Sequence, residues 1–171
     1  MKVILTILCI FTLLITNAQT TTLAEIEKQV KIIRTQFQKT NTSSTTKKVF
    51  NWSKDACGQG ELKFYFLNQQ LVKIIEFGFI GDGSWTKEYY YQNNKVYFTY
   101  EVFNSYIGAG SNETKKDEYR SYFYNDKLIR SIENGIVKNY TQQNTVLTQT
   151  AKEYRLFNSF KSKKFNEAIC Q

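Results

Sequence analysis

The chain of 171 residues contains no histidine at all. Without histidine it can form no Ser-His-Asp triad, no Cys–His nucleophile pair and no histidine-ligated metal site. The usual general base near neutral pH is also missing. Paired carboxylates remain possible, since glycoside hydrolysis needs only two such groups.

Charge is scarce at the N-terminus, where Lys2 is followed by an apolar run over residues 3–15. Thr16-Asn17-Ala18 then places small residues at the −3 and −1 positions of a signal-peptidase site. This order of a basic residue, an apolar run and small residues predicts a signal peptide over residues 1–18, cleaved after Ala18. It also predicts a secreted or periplasmic protein. The apolar run is short for a permanent transmembrane anchor, although an uncleaved anchor is the alternative.

Cysteine is scarce as well, with three in the chain, and Cys9 lies within the predicted signal peptide. The even pair that remains, Cys57 and Cys170, is most simply a disulfide in an oxidising compartment. We therefore predict a Cys57–Cys170 bond that closes most of the domain into one loop. Two free thiols are the alternative.

The formal net charge is +8, but the basic residues are scattered, with short clusters such as Lys47-Lys48 and residues 161–164. Such clusters are typical of solvated faces. Export also argues against a nucleic-acid partner, and we expect none.

Residues 22–39 show helical periodicity. Thr22 and Glu25 have the spacing of a capping box. Apolar residues recur every three or four positions and form one stripe, which comprises Leu23, Ile26, Val30, Ile33 and Phe37. The pattern predicts an amphipathic helix that packs on a sheet, followed by a polar loop over residues 40–46.

From about residue 48 to residue 140, apolar and polar residues alternate with period two, and aromatic and β-branched types are frequent, as is typical of strands. Tight hairpin turns are expected at four pairs, Asn68-Gln69, Asn93-Asn94, Asn125-Asp126 and Asn134-Gly135. Helical spacing returns over residues 146–165. The sequence thus predicts a single α+β domain over residues 19–171, with an N-terminal helix, an antiparallel β-meander of about six or seven strands and a C-terminal helix packed on the same sheet face.

Three hairpins repeat one unit, in which an aromatic triplet leads through an Asn turn into an aliphatic return strand. The triplets are Phe64-Tyr65-Phe66, Tyr89-Tyr90-Tyr91 and Tyr122-Phe123-Tyr124. This arrangement resembles uncharacterised exported bacterial proteins with aromatic β-hairpin repeats, and it is distantly similar to variant MORN-type repeats. Those repeats usually place Gly after the turn Asn or Asp, which only Asn134-Gly135 does here. The resemblance implies no activity.

Strand alternation divides the side chains between two faces. One face is rich in Leu, Ile and Phe, and we expect it to pack against the helices. The other mixes Lys and Glu with tyrosines that we expect to be half exposed, namely Tyr65, Tyr90, Tyr97, Tyr122 and Tyr124. Tyrosine joins apolar area to a polar hydroxyl, which suits interfaces, so these five are candidate binding residues. A cross-strand ladder that only stabilises a solvated sheet is the alternative.

The segment from Gly78 to Trp85 is the predicted loop that contains the most candidate ligand-binding groups. Asp82 is a candidate for binding a cation, and Trp85 is a candidate for stacking on a sugar or a protein partner. The segment lacks the repeated acids of a calcium loop and the lysine of a phosphate loop, so a plain hairpin connection is the alternative. We expect no cofactor and no bound metal.

These features favour an exported, non-enzymatic binding or envelope-associated protein. It would act on an unknown protein or glycan partner through the Tyr-rich sheet face. A small carboxylate-dependent hydrolase of envelope polysaccharide stays open, although the spacing pairs no two of its candidate acids, Glu76, Asp82, Glu88 and Glu101. An inhibitor or immunity-type protein stays open as well.

Overall fold

A computed structural model describes residues 22–54, 58–107 and 114–138, together with residue 158. The predicted signal peptide, both cysteines of the predicted disulfide and, apart from residue 158, the helix predicted over residues 146–165 lie outside the described residues. No helix in the described part of the chain is long and apolar enough to cross a membrane.

Helix α1 runs from Leu23 to Thr42. The Thr22 half of the predicted capping box is confirmed, because the Oγ1 of Thr22 accepts a hydrogen bond from the backbone N–H of Glu25 at 3.2 Å. The Glu25 carboxylate instead accepts from Gln29 at 2.6 Å. The predicted end at residue 39 is wrong. The hydroxyls of Thr42 and Ser43 donate to backbone carbonyls one turn earlier. The helix therefore continues over residues 40–42, and the predicted loop shortens to residues 43–45.

In the described ranges eight strands follow α1, and each pairs antiparallel with the next in chain order. Their bounds are β1 Thr46–Lys54, β2 Gly58–Leu67, β3 Gln70–Ile80, β4 Gly83–Gln92, β5 Lys95–Tyr106, β6 Thr114–Tyr124, β7 Lys127–Glu133 and β8 Ile136–Lys138. The meander is confirmed, with eight strands in place of six or seven. The difference lies at the two edges, because β1 begins in a polar run and β8 has only 3 residues.

All four predicted Asn turns are confirmed. Both central residues of each turn adopt a positive φ, between 48° and 83°. Tight two-residue hairpins of type I′ require this conformation, and Asn, Asp and Gly adopt it most readily. Three of the turns, at Asn68, Asn93 and Asn125, lie at the same end of the meander because alternate connections share one end.

The hairpin repeat has a structural counterpart in three β-bulges. The strand register shifts after Tyr65, after Tyr90 and after Tyr122, always close to the turn. In each case the return strand carries one extra residue opposite the shift, and these residues are Val72, Tyr97 and Ile129.

Two clusters of buried side chains lie on opposite faces of the sheet. On the helix-covered face, Val30 and Ile33 of α1 pack against residues of β4 to β7 that are largely aromatic, namely Tyr90, Tyr97, Phe98, Tyr122 and Ile132. On the opposite face the second cluster comprises Trp52, Leu62, Phe64, Leu71, Ile74, Tyr89 and Tyr91.

Candidate functional site

Three of the five candidate binding tyrosines lie under α1. Tyr90, Tyr97 and Tyr122 have exposed fractions of 0%, 8% and 3%. The expectation that the tyrosine face is half exposed is therefore wrong at its centre. The physical reason is that the apolar stripe of α1 requires an apolar platform, and the tyrosine rings supply most of it.

The hydroxyl groups of these tyrosines contact α1 directly. The hydroxyls of Tyr97 and Thr40 share a hydrogen bond of 3.0 Å, and the hydroxyl of Tyr122 accepts one from Arg34 Nε at 3.5 Å. The hydroxyl of a buried tyrosine usually finds such a partner. Both contacts attach the helix to the sheet, which is a structural role.

Tyr90 belongs to a closed polar network at the end of α1. Its hydroxyl donates to the Glu88 carboxylate and lies 3.2 Å from Asn41 Oδ1. The ammonium of Lys73 lies 3.2 Å from Glu88 Oε2 and 2.9 Å from Asn41 Oδ1. Burial, reinforced by the hydrogen bond to Glu88, raises the pKa of the Tyr90 hydroxyl far above its ordinary value. The Tyr90 hydroxyl, the Glu88 carboxylate and the Lys73 ammonium are thus held by partners within the protein.

The two other tyrosines do not join this group in one surface. Tyr65 is half-buried beside the Lys73 ammonium, which lies 5.5 Å from its ring centre. Tyr124 is 40% exposed next to the turn between β6 and β7. The five tyrosines therefore do not form a single flat binding patch.

The predicted loop over residues 78–85 consists mainly of strand. Asp82 lies in the exposed two-residue turn between β3 and β4. Trp85 points to the face of the sheet that α1 does not cover, where its Nε1 donates to Glu76 at 2.9 Å. Asp82 and Trp85 thus belong to the β3–β4 hairpin, which agrees with the alternative of a plain hairpin connection. Among the described residues, no group of three or more metal-ligating side chains could hold a metal ion.

The sheet register brings two of the candidate hydrolase carboxylates near each other. Glu76 and Glu101 lie opposite Lys87 on the strand between them, so the three share one row on one face. A strand spacing of about 4.8 Å puts the two acids about 10 Å apart. Burial raises the pKa of Glu101, although Lys87 opposes the shift. Because Lys87 stands between the two acids in this row, the register does not bring two carboxylates next to each other.

A cleft of about 600 Å³ lies between the second half of α1 and the hairpin turns at one end of the sheet. We call it the α1 cleft. Its apolar lining comes from α1, β2, β3 and β4 and comprises Ile32, Leu67, Leu71, Val72 and Tyr91. Ile32 is 49% exposed, so an apolar side chain of the helix faces open space here.

Polar groups surround this apolar lining. Carboxamides come from α1 and the two hairpins, at Gln36, Gln70, Gln92 and Asn93. Hydroxyls come from the helix, at Thr35, Thr40 and Ser43. Two cations, Lys31 and Lys39, complete the rim, and no described lining residue is acidic. Apolar walls with a few convergent polar groups are typical of small-molecule sites.

A second groove of about 470 Å³ lies on β1 to β3, lined in part by Asn51, Gln59, Glu61 and the rings of Phe77 and Phe79. Its charged side chain, Glu61, is already paired with Lys63. The groove therefore offers less for ligand recognition than the α1 cleft does.

The α1 cleft could not be found by searching the sequence for motifs, because it joins residues of α1 to two hairpins far along the chain. One signal is visible in retrospect. Lys31, Thr35 and Lys39 recur at spacings of four on a helix whose apolar stripe lies elsewhere, and Ile32 stands beside them outside that stripe.

The chain matches no family model, and no curated protein or solved structure matches it.

Proposed function

We propose that this chain is an exported, non-enzymatic binding protein that holds a small amphiphilic molecule in the α1 cleft. The observation that carries the proposal is the exposed apolar side chain of Ile32 inside a concave site rimmed by hydrogen-bonding groups. The signal-peptide pattern over residues 1–18 supports export.

The size of the cleft fits this proposal. Sites for small ligands commonly enclose about 300–1,000 Å³ and combine apolar walls with a few polar groups that orient the ligand. The α1 cleft, at about 600 Å³, falls inside that range. A bound apolar group would remove Ile32 and its neighbours from water, which favours binding in proportion to the area covered.

The proposal places binding in the cleft because the tyrosine face is occupied by α1. A polysaccharide hydrolase is less well supported, since Lys87 separates the two acids that the register brings together. The described residues that line the α1 cleft include no carboxylate that could act as a general acid or base.

Nile red, a neutral apolar dye, tests the proposal without reference to charge. We expect its fluorescence to rise on mixing with the purified protein. Gln36→Trp places a large ring inside the cleft and should abolish the rise. Gln38→Trp is the matched control, because Gln38 is exposed on the same helix and does not line the cleft. Equal dye binding by the two variants, with equal melting temperatures, would contradict the proposal.

A further inference from the structure

We infer that the α1 cleft takes a monomeric single-chain amphiphile with an anionic head group, and that Lys31 and Lys39 hold that head group. This inference rests on the proposed function and adds the chemical class of the ligand.

The first support is a local excess of positive charge. Both charged residues that line the cleft are lysines, and no described acid faces them from the hairpins. Neither lysine forms an ion pair with a described residue. Lysines elsewhere on the sheet that lie near acids are paired, as Lys73 is with Glu88. These two cations, unpaired within the described part of the chain, therefore favour an anionic ligand.

The second support is the geometry of the helix. Lys31, Thr35 and Lys39 are spaced four residues apart, so they lie along one side of α1. At 1.5 Å per residue the two lysines stand about 12 Å apart along the axis. Their long flexible stems let both ammoniums reach toward Thr35, midway between them.

The hydroxyl of Thr35 does not compete with the lysines as a donor. It already donates to the backbone carbonyl of Lys31 at 3.2 Å. Among the described lining residues, the two ammoniums are thus the cationic donors near the middle of this helix segment. A carboxylate, sulfate or phosphate head group accepts such charge-assisted hydrogen bonds.

The third support is the position of the apolar surface. Ile32 follows Lys31 directly, and Leu71 and Val72 face it from the hairpin between β2 and β3. A chain attached to a head group at the lysines would therefore cover Ile32. The cleft has the size of a site for one small ligand, so we assign a single-chain amphiphile and not a two-chain lipid.

Three probes of equal chain length test this assignment by displacement of Nile red at low salt and pH 7.5: decanoate, decanol and decyltrimethylammonium. We expect decanoate to bind most tightly and decyltrimethylammonium least tightly. Added salt should weaken the binding of decanoate and leave that of decanol unchanged, because screening acts on charges.

The double variant Lys31→Gln/Lys39→Gln should weaken decanoate binding about tenfold, as expected for the loss of two partly exposed ion pairs. Its affinity for decanol should stay the same. The matched control is Lys47→Gln/Lys127→Gln, which removes the same charge from exposed positions outside the cleft. We expect the control to bind decanoate like the unmodified protein.

The outcomes separate the inference from the proposed function. If decanol and decanoate bind alike and the Lys31/Lys39 variant changes neither, the inference is wrong and the proposed function stands. If no probe displaces the dye and the dye itself does not bind, the proposed function fails and the inference fails with it. Co-sedimentation with phosphatidylglycerol vesicles, without binding of monomeric decanoate, would overturn the inference in favour of a bilayer surface.

Discussion

The ammonium of Lys73 on β3 lies 3.2 Å from Glu88 Oε2 on β4, and both side chains are mostly buried where α1 ends. The same ammonium donates to the side-chain oxygen of Asn41 on α1. The Tyr90 ring lies beneath it, with its centre 4.9 Å from the nitrogen. One cation therefore joins two strands to the helix that forms a wall of the α1 cleft.

Removing the Glu88 carboxylate from this network should destabilise the fold. Glu88→Gln leaves a largely buried lysine without its anion, and we expect it to lower the free energy of unfolding by about 1–3 kcal/mol. Asp126→Asn is the control, since Asp126 pairs with Lys95 in an exposed setting where ion pairs contribute at most about 1 kcal/mol. Urea unfolding measures both variants. Equal losses would show that burial of the Lys73–Glu88 pair is of no consequence.

The helix-covered tyrosines should behave as core residues. Tyr122→Ala creates a cavity under α1, and truncation of a large buried aromatic costs about 3–5 kcal/mol of stability. Tyr124→Ala is the matched control two positions further on, because Tyr124 is 40% exposed. Thermal melts should show a large decrease for the first variant and a small one for the second. A fully stable Tyr122→Ala protein would mean that the ring is not part of the core.

Much of the fold could be predicted because its signals are local. The cap at Thr22 and the four turns depend on neighbouring residues, and each turn imposes the antiparallel pairing that follows. Alternation fails at the β-bulges, where the neighbours Tyr97 and Phe98 lie on the same face, and it does not tell which face a helix covers. The hydroxyl of tyrosine favours an exposed position for Tyr90 and Tyr122, whereas burial with a partner satisfies that hydroxyl equally well.

The candidate site was harder to predict, because it depends on distances across the sheet and the helix. Glu76 and Glu101 are neighbours only through the register of three strands, which spacing along the chain does not show. The α1 cleft joins Ile32 to Leu71 and Tyr91 across two hairpins. Such a site becomes visible only when the position of the helix on the sheet is known.

Gly78 should not tolerate a side chain. A Cβ at this position would overlap the Trp85 ring and lie 2.9 Å from Cζ2 of Trp52. The two tryptophan rings lie 6.1 Å apart between their centres. We expect Gly78→Ala to lower the free energy of unfolding by about 1–3 kcal/mol, as overpacking of a filled site does. Because these are the two tryptophans of the chain, near-ultraviolet circular dichroism should also change.

Gly83→Ala is the control for that substitution. The nearest atom to a Cβ at Gly83 is 3.6 Å away, so the new methyl group fits without movement. Replacing a strand glycine at such a position should be neutral or stabilise by up to about 1 kcal/mol. If both alanine variants are equally stable, the tryptophan pair does not restrict Gly78.

The dependence of stability on pH should differ in sign between Glu101 and Glu118. Burial raises the pKa of Glu101 above its ordinary value of 4.5, with Lys87 opposing the shift and Glu76 reinforcing it. Below pH 4.5 the carboxyl group is protonated in both the folded and the unfolded chain, so burying it carries no ionisation cost. As the pH rises through the raised pKa, the folded protein must ionise a desolvated carboxyl group, and its stability falls. Glu101→Gln should therefore have a higher urea midpoint than the unmodified protein at pH 8, and the difference should vanish near pH 4.

For Glu118 we expect the opposite dependence of stability on pH, and this residue is the comparison for Glu101. The hydrogen bond donated by the Tyr100 hydroxyl, with Arg120 nearby, lowers the pKa of Glu118 below 4.5. Its stabilising contribution is present above pH 4.5 and is lost as the pH falls through the lowered pKa. Glu118→Gln should accordingly be less stable than the unmodified protein at pH 8, and the gap should close on acidification. A Glu101→Gln protein that is also less stable at pH 8 would mean that its attraction to Lys87 outweighs the cost of burying the charge.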